Sequence, residues 1–418
     1  MAENSQARLA ILISQYPAIN HSIILNEIRE LRRSFVLCTA SIRASNRPAE
    51  QLTAAERDEA SRTYYVKPGG IRAALFAVVQ TSFLNPAGFV RGLLYALRLS
   101  VPRPKQAFKN FAYFLEALVV GQWMRREAVS HLHTHYSSTV GLLAKRVFPV
   151  ELSITFHGPD EFNDPKGFWL KQKVEASTFV RGISHYSRSQ LMLHCRTGQW
   201  EKIEVAHMGV DPNMFSPRPF REDPSPVEII CVGRLVSVKA QRILISAVGK
   251  LVQDRRNVLL HIVGGGPDRP DLEKQVDSLG IRPHVVFHGF ASHDKVKQLY
   301  GRSDVFAISS FAEGLPAVLM EAMAMEIPCV STWIMGVPEL IRDGIDGLLV
   351  PPSDVLALAL AISRLMDDPE LRRRIGVAGR QRVIEEFHLQ KNARYFASIF
   401  ERRVFSQQFA SGRESSSS

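Results

Sequence analysis

The stretch that decides the fold reads Asp304-Val-Phe-Ala-Ile-Ser-Ser-Phe-Ala-Glu-Gly-Leu-Pro-Ala-Val-Leu-Met-Glu321. The apolar residues at its start predict a buried strand. Gly314 permits a tight turn, and Pro316 suits the first turn of a helix. That helix then carries Glu321, while Glu313 stands just before it. We therefore expect a strand, a turn and a helix in succession, which is the repeating unit of a parallel α/β sheet.

The same alternation of strands and helices recurs along the chain. Candidate strands in the N-terminal half lie at residues 9–14, 132–135, 152–156, 182–184 and 203–207. Candidate strands in the C-terminal half lie at residues 228–232, 258–263, 285–287, 305–307, 327–331 and 347–350. Helical patterns separate these runs, which predicts parallel sheets covered by helices.

Prolines cluster in the middle of the chain, at Pro217, Pro219, Pro224 and Pro226. They predict a linker over residues 216–227 between two doubly wound α/β domains. We expect the first domain over residues 1–215 and the second over residues 228–385, a division that suits a length of 418 residues. A final helix over residues 386–405 is expected to pack back on the first domain. Residues 406–418, which end in four serines, are expected to form a disordered tail.

The composition is that of an ordinary globular protein, with 45% hydrophobic and 22% charged residues. The formal net charge of +11 favours an anionic partner, such as a phosphate ligand or an anionic membrane surface. A basic, solvated surface without a specific partner is the alternative. The sequence lacks a DNA- or RNA-binding motif, so we expect no nucleic-acid partner.

None of the four cysteines belongs to a CxxC motif or has the spacing of a zinc site. Two of them are predicted to be reduced core residues. Cys231 and Cys329 each lie beside valine in an apolar run, as buried thiols do. Reduced cysteines suit a cytoplasmic chain. The apolar run at residues 9–13 is too short for a signal peptide, and residues 73–90 are too polar for a membrane-spanning helix.

Residues 67–126 differ from the rest of the chain in charge and aromatic content. They contain nine basic residues, nine aromatic residues and a single acid, Glu116. A basic, aromatic-rich helical insert suits docking on an anionic bilayer. The alternative is a set of helices that pack on the N-terminal sheet and present a basic outer face.

The start of the helix between Glu313 and Glu321 suits a diphosphate, because the first N–H groups of a helix are unpaired and carry its positive dipole end. Carboxylates accept charge-assisted hydrogen bonds from sugar and ribose hydroxyls. At about 1.5 Å of rise per residue, the two carboxylates stand on the order of 10 Å apart. That span suits the two ends of a nucleotide-sugar. A bare spacing of this kind more often marks a helix cap and an exposed glutamate, so other motifs must support it.

Such motifs occur throughout the chain. They are Phe156–Asp160, His207–Asp211, Gly233–Lys239, Ile262–Pro267, Val286–Phe290, Phe311–Ala322, Gly336–Leu340 and Asp343–Val350. Their joint pattern resembles the retaining glycosyltransferases of family four, whose GT-B fold has two Rossmann-like domains that face each other across a deep cleft. Tyr16-Pro17, Ile24–Ile28 and His131–His135 resemble the branch that builds exopolysaccharides such as colanic acid.

The resemblance implies a role for each matching residue. Arg234 and Lys239 would hold the donor diphosphate and stabilise the leaving nucleotide, a task that two cations can perform in place of a metal. Glu313 would bind the hydroxyls of the transferred sugar, and Glu321 would bind the ribose. His157 would act at the sugar through its imidazole or its backbone carbonyl. Further donor contacts are expected from Gly314, Leu315, Gly264 and Phe290.

The implied reaction moves a hexose from a UDP- or GDP-sugar, with retention at the anomeric carbon, to a lipid-linked or oligosaccharide acceptor bound by the N-terminal domain. We expect no cofactor and no metal, although His131, His133 and His135 alternate along one face of a strand. A nucleotide-sugar epimerase on the same architecture and a non-catalytic nucleotide-sugar-binding protein are the alternatives. The expected location is the cytoplasm, with peripheral binding at the inner face of the plasma membrane as an extension.

Three positions depart from the family pattern. Ala240 stands where glycine is usual, in a loop that would need a positive φ. Met335 replaces the first glycine of a common Gly-Gly pair. His21 occupies a position where the exopolysaccharide branch usually has glutamate, which bears on acceptor recognition more than on donor binding.

Overall fold

A computed structural model describes residues 7–18, 22–100 and 104–406. Contacts divide the chain into an N-terminal unit, residues 1–206 with 393–418, and a C-terminal unit, residues 207–392. The division falls upstream of the expected linker, so residues 207–227 belong with the C-terminal unit. The expected tail lies outside the described residues from residue 407 onward, as do His21 and Arg103.

The N-terminal unit is built on one parallel sheet. Its strands are β1 (Arg8–Gln15), β2 (Val36–Arg43), β3 (Thr63–Tyr65), β4 (His131–His135), β5 (Glu151–Phe156), β6 (Phe179–Gly182) and β7 (Ile203–Val205). They pair in the order β3-β2-β1-β4-β5-β6-β7, which confirms a doubly wound, Rossmann-like domain. The sequence patterns did not predict β2 and β3, because polar and small residues interrupt their apolar runs.

Helices cover this sheet. They are α1 (Ser22–Leu31), α2 (Ala54–Ser61), α3 (Gly70–Leu84), α4 (Pro86–Ser100), α5 (Ala107–Arg126), α6 (Ser138–Val147), α7 (Leu170–Ala176) and α8 (His185–Leu193). Helix α5 lies in the core, with Phe114, Leu118 and Trp123 buried. The basic insert thus supplies part of the N-terminal core, while α3 and α4 lie further out.

A buried ion pair joins α1 to β6. The Arg181 guanidinium donates to both carboxylate oxygens of Glu27, at 2.9 and 2.7 Å. Arg181 also donates to the carbonyl of Ala206 and stacks on the Phe396 ring. Glu27 belongs to the segment that resembles the exopolysaccharide branch, and its side chain here has a structural role. Losing either partner would leave an uncompensated charge in the core.

The last helix, α16 (Leu389–Arg403), returns to the N-terminal unit. Phe396 and Phe400 on α16 are fully buried. The Phe400 ring lies 5.9 Å from Phe35 and 5.2 Å from Phe179, in edge-to-face arrangements that aromatic pairs favour. At the outer end of α16, Arg403 donates to Glu204 at 2.8 Å. These contacts complete the N-terminal core with residues from the opposite end of the chain.

The C-terminal unit has its own parallel sheet. Its strands are β8 (Val227–Val232), β9 (Val258–Val263), β10 (Val285–Gly289), β11 (Val305–Ala307), β12 (Cys329–Thr332) and β13 (Leu348–Val350). Its helices are α9 (Gln241–Gln253), α10 (Arg269–Ser278), α11 (His293–Arg302), α12 (Ala317–Ala324), α13 (Val337–Leu340), α14 (Val355–Asp367) and α15 (Pro369–Glu386). The strand order is β10-β9-β8-β11-β12-β13, so the order reverses between β8 and β11. Ligands of such sheets bind outside the carboxyl ends of the strands at this reversal.

The expected linker is held against the C-terminal unit. Arg221 forms an ion pair with the buried Asp304, and Arg372 donates to the carbonyls of Arg221 and Glu222. Just upstream, Gly209 lies so close to Phe387 that an added Cβ would stand 2.4 Å from its carbonyl oxygen. These contacts explain why residues 207–227 group with the C-terminal sheet.

Candidate active site

The loops that follow β8, β9 and β10 meet at the carboxyl edge of the C-terminal sheet. Gly233 N donates to Val263 O at 2.9 Å, and Gly264 N donates to Gly289 O at 2.8 Å. Gly264 has a φ of +137°, and a Cβ there would lie 1.9 Å from Gly233 O. Only glycine can occupy this position, because both its backbone angle and the neighbouring carbonyl exclude a side chain.

Phe290 covers the glycine loop. A Cβ on Gly265 would lie 2.4 Å from the Phe290 ring, and a Cβ on Gly266 would lie 2.1 Å from Leu235 O. The Phe290 ring is nevertheless 75% exposed. An exposed aromatic ring above a bare backbone offers one flat surface and a row of peptide groups, which suits a planar ligand such as a nucleotide base.

The loops after β8 and β11 are bound to each other. Phe311 N donates to Val238 O at 2.8 Å, and Ser309 Oγ donates to Ala240 O at 2.8 Å. Ala240 adopts a φ of +49°, which confirms that the loop needs a left-handed residue at this position. Met335, the other replacement of a family glycine, has a φ of +44°. Both residues carry a strain that glycine would avoid.

Glu313 and Lys239 are brought together by these loops. Lys239 Nζ lies 2.6 Å from Glu313 Oε1, and Ser310 Oγ donates to the same oxygen at 2.7 Å. Glu313 is buried, Lys239 is half-buried, and Arg234 in the same loop as Lys239 is exposed. The site thus combines one buried carboxylate with two cations of increasing exposure.

Glu321 is buried in the second turn of α12, eight residues after Glu313. Tyr300 donates its hydroxyl to Glu321 Oε2 at 3.1 Å. Burial raises the pKa of Glu321 to about 7. A carboxylate with such a pKa binds hydroxyl donors strongly once it is ionised, because few competing water contacts have to be replaced.

Between these glutamates, the chain enters α12. Pro316 takes the N-cap position rather than the first helical one, and α12 begins at Ala317. A proline side chain has no polar group that could cap the first N–H groups of the helix. Gly314 is half-buried and Leu315 is buried. The helix start therefore keeps the backbone donors that the sequence predicted for a diphosphate.

The N-terminal unit holds His157 directly after β5. His157 Nε2 lies 2.9 Å from His135 Nδ1 at the end of β4, and the Tyr136 ring stacks on the His157 ring at 4.3 Å between centroids. The backbone N–H groups of His157 and Gly158 both donate to Glu161. Ring and backbone of His157 are thus held by separate partners.

The other two histidines of β4 form hydrogen bonds to side chains of the neighbouring strand β5. His131 and His133 both bond to Ser153 Oγ, at 2.8 and 2.7 Å, and His133 Nε2 lies 2.9 Å from Thr155 Oγ1. Burial lowers the pKa of His131 to about 3. Across residues 7–18, 22–100 and 104–406, no cluster of three or more His, Cys, Asp or Glu side chains has the arrangement of a metal site.

Four of the contacting residues were not predicted from the sequence: Tyr136, Glu161, Tyr300 and Ser310. Glu161 carried no capping-box signal, because the N-cap residue Gly158 has no side chain, although the backbone N–H of Gly158 does donate to the Glu161 carboxylate. Tyr300 lies on α11, 21 residues before its partner Glu321, and nothing local links the two. The predicted donor residues all lie in the C-terminal unit, and His157 lies in the N-terminal unit.

Two Rossmann-like domains in one chain, each with a parallel sheet that reverses its strand order, define the GT-B fold class. The crystal structure of Anabaena HepE in complex with UDP-glucose shares this fold, with a TM-score of 0.71 and 18% identity. The match covers 94% of this chain and 99% of that one.

The sequence comparisons then identify the family. The family model for glycosyl transferases group 1 matches residues 215–382. An alpha-D-kanosaminyltransferase of Streptomyces kanamyceticus is 37% identical, over 60% of this chain and 72% of that protein. A putative colanic acid biosynthesis glycosyltransferase of Escherichia coli is 37% identical, over 48% of this chain and 51% of that protein, so the chain matches about half of that relative's length. The chain belongs to the glycosyl transferases group 1 family.

Proposed function

We propose that this chain is a retaining glycosyltransferase that moves a hexose from a UDP- or GDP-sugar to a lipid-linked or oligosaccharide acceptor. The contact between Lys239 and Glu313 carries the proposal, with Nζ and Oε1 only 2.6 Å apart. A nucleotide-sugar presents a phosphate next to sugar hydroxyls. A cation and a hydroxyl acceptor side by side match that pair of groups.

Binding of the donor changes the partners of this pair. The diphosphate takes up the charge of Lys239, and Arg234 approaches it from the same loop. Glu313 keeps the hydroxyl of Ser310, which bonds to it at 2.7 Å, and its remaining lone pairs accept from the sugar. Glu321 accepts from the ribose in a buried site where such bonds are strong.

Breaking the glycosidic bond puts negative charge on the phosphate oxygen that leaves. Arg234 and Lys239 stabilise that charge in place, and this favours the transition state over the bound substrate. We propose that they take the place of a metal. Removal of divalent ions by chelation should then leave the rate unchanged.

His157 acts from the N-terminal domain. Its imidazole or backbone carbonyl stabilises the positive charge that develops on the sugar ring. The acceptor hydroxyl attacks from the face that the nucleotide leaves, which retains the anomeric configuration. No carboxylate is assigned as a covalent nucleophile, because Glu313 and Glu321 are committed to the sugar and the ribose.

The acceptor belongs to a surface polysaccharide pathway in this proposal. The Escherichia coli relative bears a name for colanic acid biosynthesis, and the Streptomyces relative bears a name for transfer of a kanosaminyl group. A lipid-linked acceptor would bring the enzyme to the inner face of the plasma membrane as a peripheral protein. In the parts of the chain that the structure describes, no helix combines the length and apolar content needed to cross a membrane.

The test is an assay of the purified chain against UDP- and GDP-hexoses, with release of the nucleotide as the measurement. Lys239→Met should lower kcat/KM by about 100-fold or more, because it removes a charge that acts in the transition state. The matched control is Arg242→Met, an exposed cation on α9 three positions away, which should change kcat/KM by less than about twofold.

Equal activity of Lys239→Met and the control would contradict the proposed role of the pair. A product analysis separates the alternatives. Formation of an epimerised nucleotide-sugar without acceptor would indicate the epimerase, and nucleotide binding without turnover of any donor would indicate a binding protein. The family match favours transfer over both.

A further inference from the structure

The outward side of α3 is apolar, which is the reverse of an ordinary surface helix. Six of its large apolar side chains are between 54% and 81% exposed: Ile71, Leu75, Phe76, Val79, Phe83 and Leu84. Ile71, Leu75, Val79 and Phe83 recur every four residues, so they form one stripe along the helix. The inner side of α3 is held by Ala77 and Thr81, which are buried.

Helix α4 continues this surface after the single residue Asn85. Its exposed side carries Val90, Leu94 and Leu97, between 50% and 61% exposed. Ala87, Val90 and Leu94 also line an open groove together with Arg91 and Arg98. The inner side of α4 is closely packed, since a Cβ on Gly92 would lie 2.3 Å from the Val147 side chain.

The charges around this surface have one sign. Glu116 is the single acid in residues 67–126, and it is buried with its carboxylate 3.3 Å from Lys67 Nζ. The exposed charged side chains that the structure describes in this segment are therefore basic: Lys67, Arg72, Arg91, Arg98, Lys105, Lys109, Arg125 and Arg126. An apolar face with a basic border complements anionic lipid, whose headgroups attract the cations while its acyl chains receive the apolar groups.

We propose that the α3–α4 face, defined as the exposed apolar residues of these two helices, inserts into the headgroup region of the anionic leaflet that it meets. The helices lie in the membrane plane, because 15 residues are too few for a helix to span a bilayer, which takes about 20. A second copy of the chain suits the face less well. Two identical basic borders would repel each other in a symmetric dimer.

The inference deepens the membrane association proposed above and does not depend on the transfer chemistry. It also differs from adsorption by charge alone, which the basic residues could support without the helices entering the lipid. Salt distinguishes the two modes. Charge attraction between exposed groups is largely screened at about 1 M salt, whereas burial of apolar surface is not.

The experiment is flotation of the full chain with vesicles of phosphatidylcholine alone or of phosphatidylcholine with about 30% phosphatidylglycerol, which gives the vesicles a negative surface potential. Wild type should float with the anionic vesicles and stay bound after a wash in high salt. Phe76→Ser with Phe83→Ser should weaken binding by more than about tenfold, because two exposed rings no longer enter the lipid. Arg72→Gln with Arg98→Gln should weaken binding at low salt only, by about fivefold per charge.

The matched control is Leu356→Ser with Leu360→Ser, a comparably exposed apolar pair four residues apart on α14 of the C-terminal unit. It should float like wild type. Equal flotation of the Phe76/Phe83 double variant and wild type would overturn the inference, as would complete release of wild type by high salt. A dimer in sedimentation equilibrium that the Phe76/Phe83 variant converts to monomers, without vesicle binding by either, would also overturn it and show self-association.

Nucleotide release from a soluble donor separates this inference from the proposed function. The Phe76/Phe83 variant should keep that rate, because the predicted donor residues lie in the C-terminal unit and His157 follows β5, away from α3 in the chain. A normal rate with lost flotation supports the inference, and normal flotation with no turnover of any donor leaves it standing while contradicting the proposed function.

Discussion

At the scale of single residues, Glu321 illustrates how a ligand site can oppose stability. Its carboxyl group is buried, and burial raises its pKa to about 7 from an unfolded value near 4.5. The folded state thus holds a proton that the unfolded state has lost between these two pH values. The free energy of unfolding therefore falls as pH rises from about 4.5 to about 7, because unfolding releases the proton that the buried carboxyl group holds. Below about pH 4.5 the group is protonated in both states and this loss is absent.

Glu321→Gln should raise the free energy of unfolding at pH 8 by roughly 3 kcal/mol and leave it almost unchanged at pH 4. Glutamine keeps an acceptor for the Tyr300 hydroxyl but carries no charge to bury. The same variant should weaken nucleotide-sugar binding at pH 8. Urea unfolding at both pH values and calorimetry with the donor measure the two effects. A variant that is less stable than wild type at pH 8, or that binds the donor as tightly, would contradict this account.

His135 is a positioning residue in our account, since it contacts His157 and not the substrate. A hydrogen bond between two imidazoles requires one ring to donate and the other to accept, so the 2.9 Å contact sets the orientation of both. The Tyr136 ring restrains the same imidazole from its face.

His135→Phe should lower kcat by about 10- to 100-fold with little change in KM for the donor, because the role proposed for His157 is in the transition state and depends on the orientation of its ring. His135→Asn should restore most of the rate, since the asparagine amide can stand near the place of Nδ1. The control is His131→Phe, an equally buried change on the same strand that leaves His157 untouched. If His131→Phe and His135→Phe reduce kcat equally, the effect is one of folding.

At the scale of elements, α16 is the clearest case of a helix whose place depends on distant partners. Phe400 is fully buried and contacts aromatic rings from α1's following loop, from β4 and from β6, at 5.2 to 5.9 Å between centroids. Helix α16 therefore packs over one face of the N-terminal sheet through Phe400.

Phe400→Ala should reduce the free energy of unfolding by about 3–5 kcal/mol, the range for a large ring removed from a packed core. Tyr395→Ala, an exposed position on the same helix, is the control and should cost less than about 1 kcal/mol. Denaturant unfolding followed by circular dichroism gives both values. Equal losses for the two variants would mean that α16 does not pack through Phe400.

At the scale of the whole molecule, the two proposed ligands bind different units. The nucleotide is proposed to bind the C-terminal unit, and the anionic lipid is proposed to bind the N-terminal unit. A nucleotide should slow hydrogen exchange in residues 233–240 and 309–321 of the C-terminal unit. At 100 times its Kd it should stabilise the state that binds it by about 2.7 kcal/mol. Exchange in α3 and α4 should not respond. Mass spectrometry of peptides resolves the two regions, and protection confined to the N-terminal unit would contradict the assignment of the donor site.

Most strands of this fold could be predicted from the sequence alone, although β2 and β3 were missed and β6 (Phe179–Gly182) lies upstream of the predicted run at residues 182–184. The bounds of β9 and β11 agree with the predicted runs, residues 258–263 and 305–307. Short apolar runs flanked by glycine or polar residues specify a buried strand without outside help. The motif resemblance identified the fold class, the need for a left-handed residue at position 240 and the glycine loop, because these features depend on backbone geometry within a few residues.

Other features depend on residues far apart in the sequence, and only the tertiary structure decided them. Glu313 meets Lys239 because the sheet places β11 next to β8, and Glu321 meets Tyr300 because α11 and α12 pack on that sheet. Strand order is not encoded in any local pattern. The same holds for the exposed apolar face of α3. The sequence analysis predicted a helical insert over residues 67–126, but which side of α3 is exposed depends on how it packs against α5. The two glutamates could thus be predicted as candidates from the sequence, whereas their partners follow from the strand order and the raised pKa of Glu321 follows from its burial.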